Sequence, residues 1–236
     1  MRKRIWEVDA LRGLCILGMI VVHFVFDITM MYGISPWESP VLAFFMNWGG
    51  VLFLVISGVS ATLGSKSVRR GFVVFSCGML CTAVTAGMYL LGLANVVIII
   101  YFGVLHCLGI CMILWHLLKK LPSPVLLCLG IVLAAVGLWL RTVYVAFPYL
   151  IPLGLITPSF SSSDYFPLLP NLGFFLLGAV LGRKIYHKKE SLLPKVNAEI
   201  SALRFLRFCG RHSLLIYLLH QPVLTALCTL FLLFTR

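Results

Sequence analysis

The chain has 236 residues, of which 61% are hydrophobic and 11% are charged, and its mean hydropathy is +1.06. Soluble domains contain about 45–50% apolar and about 25% charged residues, so this composition excludes a water-soluble globule. The 19 Lys and Arg residues outnumber the 7 Asp and Glu residues and give a formal charge of +12. Because these basic residues lie between long apolar runs, they do not indicate a nucleic-acid-binding protein. The sequence therefore predicts an integral membrane protein whose partner is the lipid bilayer.

Seven apolar runs are long enough to cross a bilayer, which takes about 20 residues as a helix. Helices satisfy their own backbone groups in lipid, whereas an open sheet would not. We therefore predict an all-α, polytopic transmembrane helix bundle that forms one domain over residues 1–236. The sixth run is short, and its helix could begin earlier, inside the Pro-rich segment that precedes it. The predicted spans are residues 11–31, 41–63, 72–91, 96–118, 124–147, 172–186 and 213–234.

The distribution of Lys and Arg predicts the orientation, since loops rich in these residues stay in the cytoplasm. All but Arg141 and Arg236 of the 19 basic residues fall at the N-terminus or in every second connection after it. This asymmetry favours seven spans with an N-in, C-out topology. The first span follows a basic N-terminus as a signal peptide would, but it contains Arg12, His23 and Asp27 and no small-residue cleavage site follows it. We therefore expect it to be a retained helix.

Two connections are longer than simple turns. Residues 148–170 form a predicted outer segment that is rich in Pro and Ser and contains Asp164, and loops of this length are usually functional or disordered. Residues 191–211 carry apolar side chains at a helical spacing together with several basic residues. This second pattern predicts an amphipathic helix at the inner headgroup surface.

Three histidines fall deep inside predicted spans. With a rise of about 1.5 Å per residue, His23, His106 and His220 lie roughly 16, 15 and 13 Å from the ends of their spans. Ionisable groups at such depth face a bundle interior or a water-filled cavity by default. Asp27 follows His23 by one helical turn, so both point from the same face. A carboxylate bonded to one imidazole nitrogen would make the other nitrogen a better base.

Other roles for these residues are open on the sequence alone. Each histidine could be a hydrogen-bonding strut between helices. The three together could ligate zinc, but no pair has the short spacing typical of a metal motif, so we expect no metal site. Near the N-terminus, Asp9 and Arg12 are close enough on the first helical turn to form an ion pair.

Several segments resemble transmembrane acyltransferases. Residues 6–13 (WEVDALRG) include Arg12, and ten residues separate it from His23, which is similar to the Arg-x10-His motif of the acyltransferase type 3 family. The remaining segments resemble prokaryotic members of the heparan-α-glucosaminide N-acetyltransferase catalytic-domain family, and the last two are the more specific. These segments are residues 23–27 (HFVFD), 57–58 (SG), 102–109 (FGVLHCLG), 164–170 (DYFPLLP) and 210–222 (GRHSLLIYLLHQP).

The resemblance implies a multi-pass acyltransferase of the plasma membrane that binds no cofactor. Acetyl-CoA or another cytosolic acyl-CoA would be the donor substrate, and a sugar or other small molecule of the cell envelope would be the acceptor. Basic residues near the inner side suit the anionic phosphates of CoA. The candidate donor-binding residues are Arg12, Arg69, Arg70, Arg204, Arg207 and Arg211.

The same resemblance implies the roles of the polar residues. His23 with Asp27 would be the general base, while His106 or His220 would polarise the thioester carbonyl or accept the acetyl group. The candidate acceptor-binding residues are Asp164, Arg141 and Gln221.

The resemblance has one departure and leaves two alternatives. In the lysosomal animal enzyme the position of His23 looks like Asn, and its proposed catalytic His aligns near Ile34, so the role of His23 rests on the Arg-x10-His analogy. The chain is also shorter than typical relatives, so assembly into a homo-oligomer could be what completes the site. One alternative is a proton-coupled transporter that uses the histidines as a relay, although no inverted repeat or pair of broken helices is visible. The other is an assembly subunit of an envelope complex.

Overall fold

The computed structural model describes residues 4–32 and 39–235 of the chain. Within these ranges the secondary structure is helical, with turns and two isolated β-bridges between helices. Six helices (α1, α2, α3, α5, α6 and α8) are long and apolar enough to cross a membrane, which confirms an all-α, polytopic membrane protein. The helices are α1 (Trp6–Tyr32), α2 (Pro40–Leu63), α3 (Ser67–Leu90), α4 (Val104–Leu118), α5 (Ser123–Leu140), α6 (Leu168–Ile185), α7 (Ser201–Arg211) and α8 (Ser213–Thr235). Arg2, Lys3, Ile34 and Arg236 lie outside the described residues.

The fourth predicted span differs from the structure. Its helix, α4, has 15 residues and begins at Val104, whereas the sequence predicts a start at residue 96. The residues before it form a short 3₁₀ helix, Val96–Ile98, and an extended segment. Hydropathy could not reveal this break, because the apolar run continues through it. His106 therefore lies in the first turn of α4 and not ten residues into a helix. The seven-span, N-in, C-out topology stays a prediction.

The helix predicted over residues 191–211 is also shorter than expected, since α7 begins at Ser201. Residues 191–200 form turns. Asn197 accepts a hydrogen bond from the backbone N–H of Glu199 at 3.0 Å, and such local bonds compete with a helix. The buried carboxylate of Glu7 accepts hydrogen bonds from the Ser191 hydroxyl at 2.9 Å and the Leu192 N–H at 2.7 Å. These bonds tie the turn segment to the first turn of α1.

The chain divides into two compact units. The first contains residues 1–53 and 189–236, and in it α1 packs against α7 and α8. The contact between α1 and α7 depends on small residues: a methyl group on Gly13 would overlap the carbonyl oxygen of Leu206, and one on Gly210 would overlap that of Asp9. The backbones of these two helices are therefore in direct contact.

The second unit contains residues 54–188. In it α3 packs against α4, and α5 and α4 pack against α6. The Arg183 guanidinium, on α6, donates hydrogen bonds to the carbonyl oxygens of Lys119 and Leu121 just after α4. Its charge also lies 5.1 Å from the centroid of the Trp115 ring. These contacts attach the C-terminal end of α4 to α6.

The Pro- and Ser-rich segment of residues 148–170 is ordered by hydrogen bonds within this unit. The hydroxyls of Ser162 and Ser163 donate to the carbonyl oxygens of Ile99 and Ile98 at 2.8 and 2.7 Å. α6 begins at Leu168, inside the Pro-rich segment. The loop therefore packs against the non-helical residues that precede α4.

Candidate functional site

Two of the candidate histidines meet in the first unit. His23 lies on α1 and His220 on α8, with their ring centroids 4.9 Å apart and their planes at 83°. Both side chains are partly buried. The packing of α8 along α1 thus brings together two imidazoles that are 197 positions apart in the chain.

Backbone carbonyls fix the hydrogen position on each ring. Nδ1 of His23 lies 2.9 Å from the carbonyl oxygen of Met19, and Nδ1 of His220 contacts that of Tyr217. A carbonyl oxygen can only accept, so each Nδ1 carries the hydrogen and each neutral ring keeps its lone pair on Nε2. Within the described residues, the buried Nε2 of His220 has no hydrogen-bond partner. Each ring thus presents a nitrogen that can take up a proton.

Asp27 has a different partner from the one that the sequence predicts. Its two carboxylate oxygens accept hydrogen bonds from the Nε2 of Gln221 at 3.1 and 2.9 Å. His23 is oriented by the carbonyl of Met19 one turn before it, so the expected bond between Asp27 and His23 is wrong. The Asp27 carboxylate instead accepts hydrogen bonds from the side-chain amide of Gln221, on α8. In the part of the chain that is described, the buried Oε1 of Gln221 has no partner.

His23, Asp27, His220 and Gln221 form what we term the α1/α8 cluster. Its lone-pair nitrogens, its carboxylate and its amide oxygen are all hydrogen-bond acceptors. Such a set can bind a hydroxyl or amino group and remove a proton from it.

His106 lies in the second unit in a different environment. Its Nδ1 accepts a hydrogen bond from the Gly103 N–H at 3.2 Å, and its Nε2 is 3.3 Å from the Thr82 hydroxyl. Phe75 and Phe102 pack against the ring with centroid distances of 5.5 Å. The residue is only 2% exposed. Both ring nitrogens are therefore used by the fold around the start of α4.

Asp164 also supports the start of α4. Its Oδ2 accepts a hydrogen bond from the N–H of Val104, the first residue of the helix, at 3.0 Å. A methyl group on Gly103 would overlap this carboxylate, which explains why glycine precedes the helix. The resemblance segments at residues 102–109 and 164–170 thus meet through a helix cap, a pairing of distant residues that sequence spacing could not reveal.

Arg141 follows the last residue of α5 and is exposed. Burial raises the pKa of Tyr165 to about 12, and the positive charge of Arg141 opposes this shift only in part. A binding role for Arg141 stays a prediction.

The predicted donor-binding residues divide between the two units. Arg69 and Arg70 are exposed in the first turn of α3, in the second unit. The other four lie in the first unit on α1 and α7, and these are Arg12, Arg204, Arg207 and Arg211.

In the first unit, Asp9 contacts two of these arginines. Its Oδ1 lies 3.8 Å from Nη1 of Arg12 and its Oδ2 lies 3.4 Å from Nε of Arg211. The predicted pair of Asp9 with Arg12 is confirmed, whereas its contact with Arg211 depends on the packing of α7 and could not be predicted. Asp9, Arg12 and Arg211 form what we term the α1/α7 cluster.

Arg207 has other partners. It donates to the Ala198 carbonyl oxygen and to Glu199, both at 2.8 Å. The hydrogen bond from Arg207 and its positive charge lower the pKa of the exposed Glu199 carboxyl. Arg207 therefore holds the turn that precedes α7, and exposed Arg204 lies one turn before it.

The comparisons with known proteins bear on the whole chain. The family model described as heparan-alpha-glucosaminide N-acetyltransferase, catalytic, matches residues 4–222. A search of curated proteins found no match, and a search of solved structures found none. The matched range contains every residue of the α1/α8 and α1/α7 clusters. Since it covers most of the chain, this membrane protein belongs to the heparan-α-glucosaminide N-acetyltransferase catalytic-domain family of transferases.

Proposed function

We propose that the protein transfers an acetyl group from cytosolic acetyl-CoA to a sugar or related acceptor on the outer side of the plasma membrane. One observation carries this proposal: α1 bears both Arg12 of the α1/α7 cluster and His23 of the α1/α8 cluster, with ten residues between them. That separation is three helical turns, about 16 Å. The extended pantetheine arm that links the phosphates of CoA to its thioester covers a comparable distance.

The α1/α7 cluster suits the phosphates of the donor. A guanidinium binds phosphate oxygens through a planar fork of N–H donors. Arg12 and Arg211 supply two such groups, and exposed Arg204 adds a third positive charge on the same helix as Arg211. This arrangement would hold the donor with its acyl end directed along α1 towards His23.

The α1/α8 cluster would perform the transfer. Nε2 of His23 takes the proton from the acceptor hydroxyl or amine, and the acceptor atom attacks the thioester carbonyl carbon. The carbon–sulfur bond then breaks, and the proton passes from His23 to the departing thiolate of CoA. The second imidazole, His220, and the amide oxygen of Gln221 would orient the acceptor. His106 and Asp164 support the fold in this proposal and do not contact the reactants.

The first test is acetyl-CoA binding and thiol release by the purified protein in detergent, with glucosamine as the acceptor probe. We expect His23→Ala to bind acetyl-CoA normally but to lose about 10²–10⁴-fold in rate, the range for a general base. His116→Ala is the matched control, because this histidine is exposed in the last turn of α4. Failure of the folded wild-type protein to bind acetyl-CoA would overturn the proposal. The family match does not favour the alternative of a proton-coupled transporter.

A further inference from the structure

We infer that Asp9 is a positioning residue for the donor: it holds Arg12 and Arg211 in the arrangement that receives the phosphate groups of acyl-CoA. This inference rests on the proposed function. Asp9 itself would not contact the donor.

The geometry of the contacts supports this role. The two carboxylate oxygens of Asp9 each face one guanidinium, with Arg12 from α1 on Oδ1 and Arg211 from α7 on Oδ2. A guanidinium has five N–H donors, so the contact of Arg211 with Asp9 through Nε, at 3.4 Å, does not use up its capacity to bind an anion. One carboxylate thus links two cationic groups and leaves the three side chains with a net positive charge.

Burial makes Asp9 the fixed member of the cluster. Its side chain is 11% exposed, compared with 21% for Arg12 and 37% for Arg211. The carbonyl of Asp9 is also in close contact with Gly210, the residue before Arg211. The backbone contact and the ion pair therefore act together, because the close approach of α7 to α1 is what brings Arg211 within reach of the carboxylate.

Two opposing effects are expected when the Asp9 charge is removed. The site becomes more positive and attracts anions more strongly, although salt largely screens this attraction beyond about 8–10 Å at physiological ionic strength. The two arginine side chains also lose their common anchor, and a flexible side chain must then be ordered when the donor binds. At 0.15 M salt the second effect should be larger, so donor affinity should fall.

The test compares two donors that carry the same acetyl thioester. Acetyl-CoA has the phosphate groups, and acetyl-pantetheine lacks them. For Asp9→Asn at 0.15 M salt we expect KM for acetyl-CoA to rise about tenfold, as for loss of one charge-assisted contact. We expect kcat to stay within twofold and the kinetics with acetyl-pantetheine to be unchanged. Glu190→Gln is the matched control, since it removes one exposed carboxylate from the same unit.

A second variant separates positioning from folding. Arg211→Gln should raise KM for acetyl-CoA to a similar extent, and the double variant with Asp9→Asn should be little worse than either single variant. Equal losses with both donors would show a structural role and overturn the inference, as would tighter binding of acetyl-CoA by Asp9→Asn. If wild-type protein uses neither donor, the proposed function itself fails. If wild-type protein uses both and Asp9→Asn does not distinguish them, only the inference about Asp9 fails.

Discussion

His23, His106 and His220 differ in what their ring nitrogens contact. In His106 both nitrogens have partners, Gly103 just before α4 and Thr82 on α3. In His23 and His220 one ring nitrogen donates a hydrogen bond to a backbone carbonyl oxygen. The neutral ring keeps a lone pair on the other nitrogen. The same residue type at a similar predicted depth therefore serves the fold in one case and is suited to proton transfer in the other two.

This difference predicts opposite effects of two alanine substitutions. His106→Ala removes the acceptor of the Gly103 N–H and leaves a space between Phe75 and Phe102, so it should lower the free energy of unfolding by about 2–4 kcal/mol. The activity per folded molecule should be retained. His220→Ala removes a ring whose Nε2 has no hydrogen-bond partner among the described residues, and it should abolish most activity with a smaller loss of stability. Thermal unfolding in detergent and acetyl transfer, measured on the same preparations, check both expectations. Loss of activity in well-folded His106→Ala would contradict them.

At the scale of elements, the short helix α7 is held against α1 by close backbone contact. The exposed face of α7 carries Phe205 and Phe208 next to Arg204, a pattern typical of a helix at a membrane surface. The face of α7 that packs against α1 carries Gly210, which contacts the carbonyl of Asp9. Small residues at such contacts let helices approach closely, and here the approach also forms the α1/α7 cluster.

A methyl group at this contact should separate the two helices. Gly210→Ala is expected to lower the free energy of unfolding by about 1–3 kcal/mol, the usual cost of overpacking. It should also weaken acetyl-CoA binding, because Arg211 is the next residue. Gly87→Ala is the control, since no heavy atom of the residues that the structure describes lies within 4 Å of the added group. That helical site should gain about 0.5–1 kcal/mol. Equal effects at the two glycines, by thermal unfolding and isothermal titration, would argue against the contact.

At the scale of the whole molecule, the number of membrane crossings depends on residues 96–118. A 15-residue helix such as α4 rises only about 22 Å, which is less than the bilayer core of about 30 Å. In the preceding non-helical segment, the backbone groups of Ile100 have side-chain partners: its N–H donates to the Thr85 hydroxyl at 3.1 Å, and its carbonyl accepts from the Thr82 hydroxyl at 2.6 Å. Non-helical backbone at membrane depth is tolerated when protein groups satisfy it in this way. We therefore predict that residues 96–118 cross the membrane as one broken span.

Cysteine labelling tests this crossing. With seven spans and an inner N-terminus, Ser161 lies outside and Ser65 lies inside, and both are exposed. Ser161→Cys should react with a membrane-impermeant maleimide on intact cells, and Ser65→Cys should react only after permeabilisation. The unsubstituted chain, which has eight cysteines, gives the background. If residues 96–118 do not cross, Ser161 lies inside and the intact-cell signal disappears.

The sequence by itself determined the membrane class, six of the helices and the resemblance to the family, because long apolar runs and contiguous motifs are local properties. It also indicated His23, Asp27 and His220 as site candidates, since polar residues inside apolar runs need a partner, and the resemblance to the family added Gln221. Only the tertiary structure decided which partners they have: Asp27 bonds to Gln221, Asp9 contacts Arg211, and Asp164 caps α4. These contacts join residues 60 to 202 positions apart, and their geometry depends on how helices pack. Hydropathy, which reports composition along the chain, contains no information about that packing.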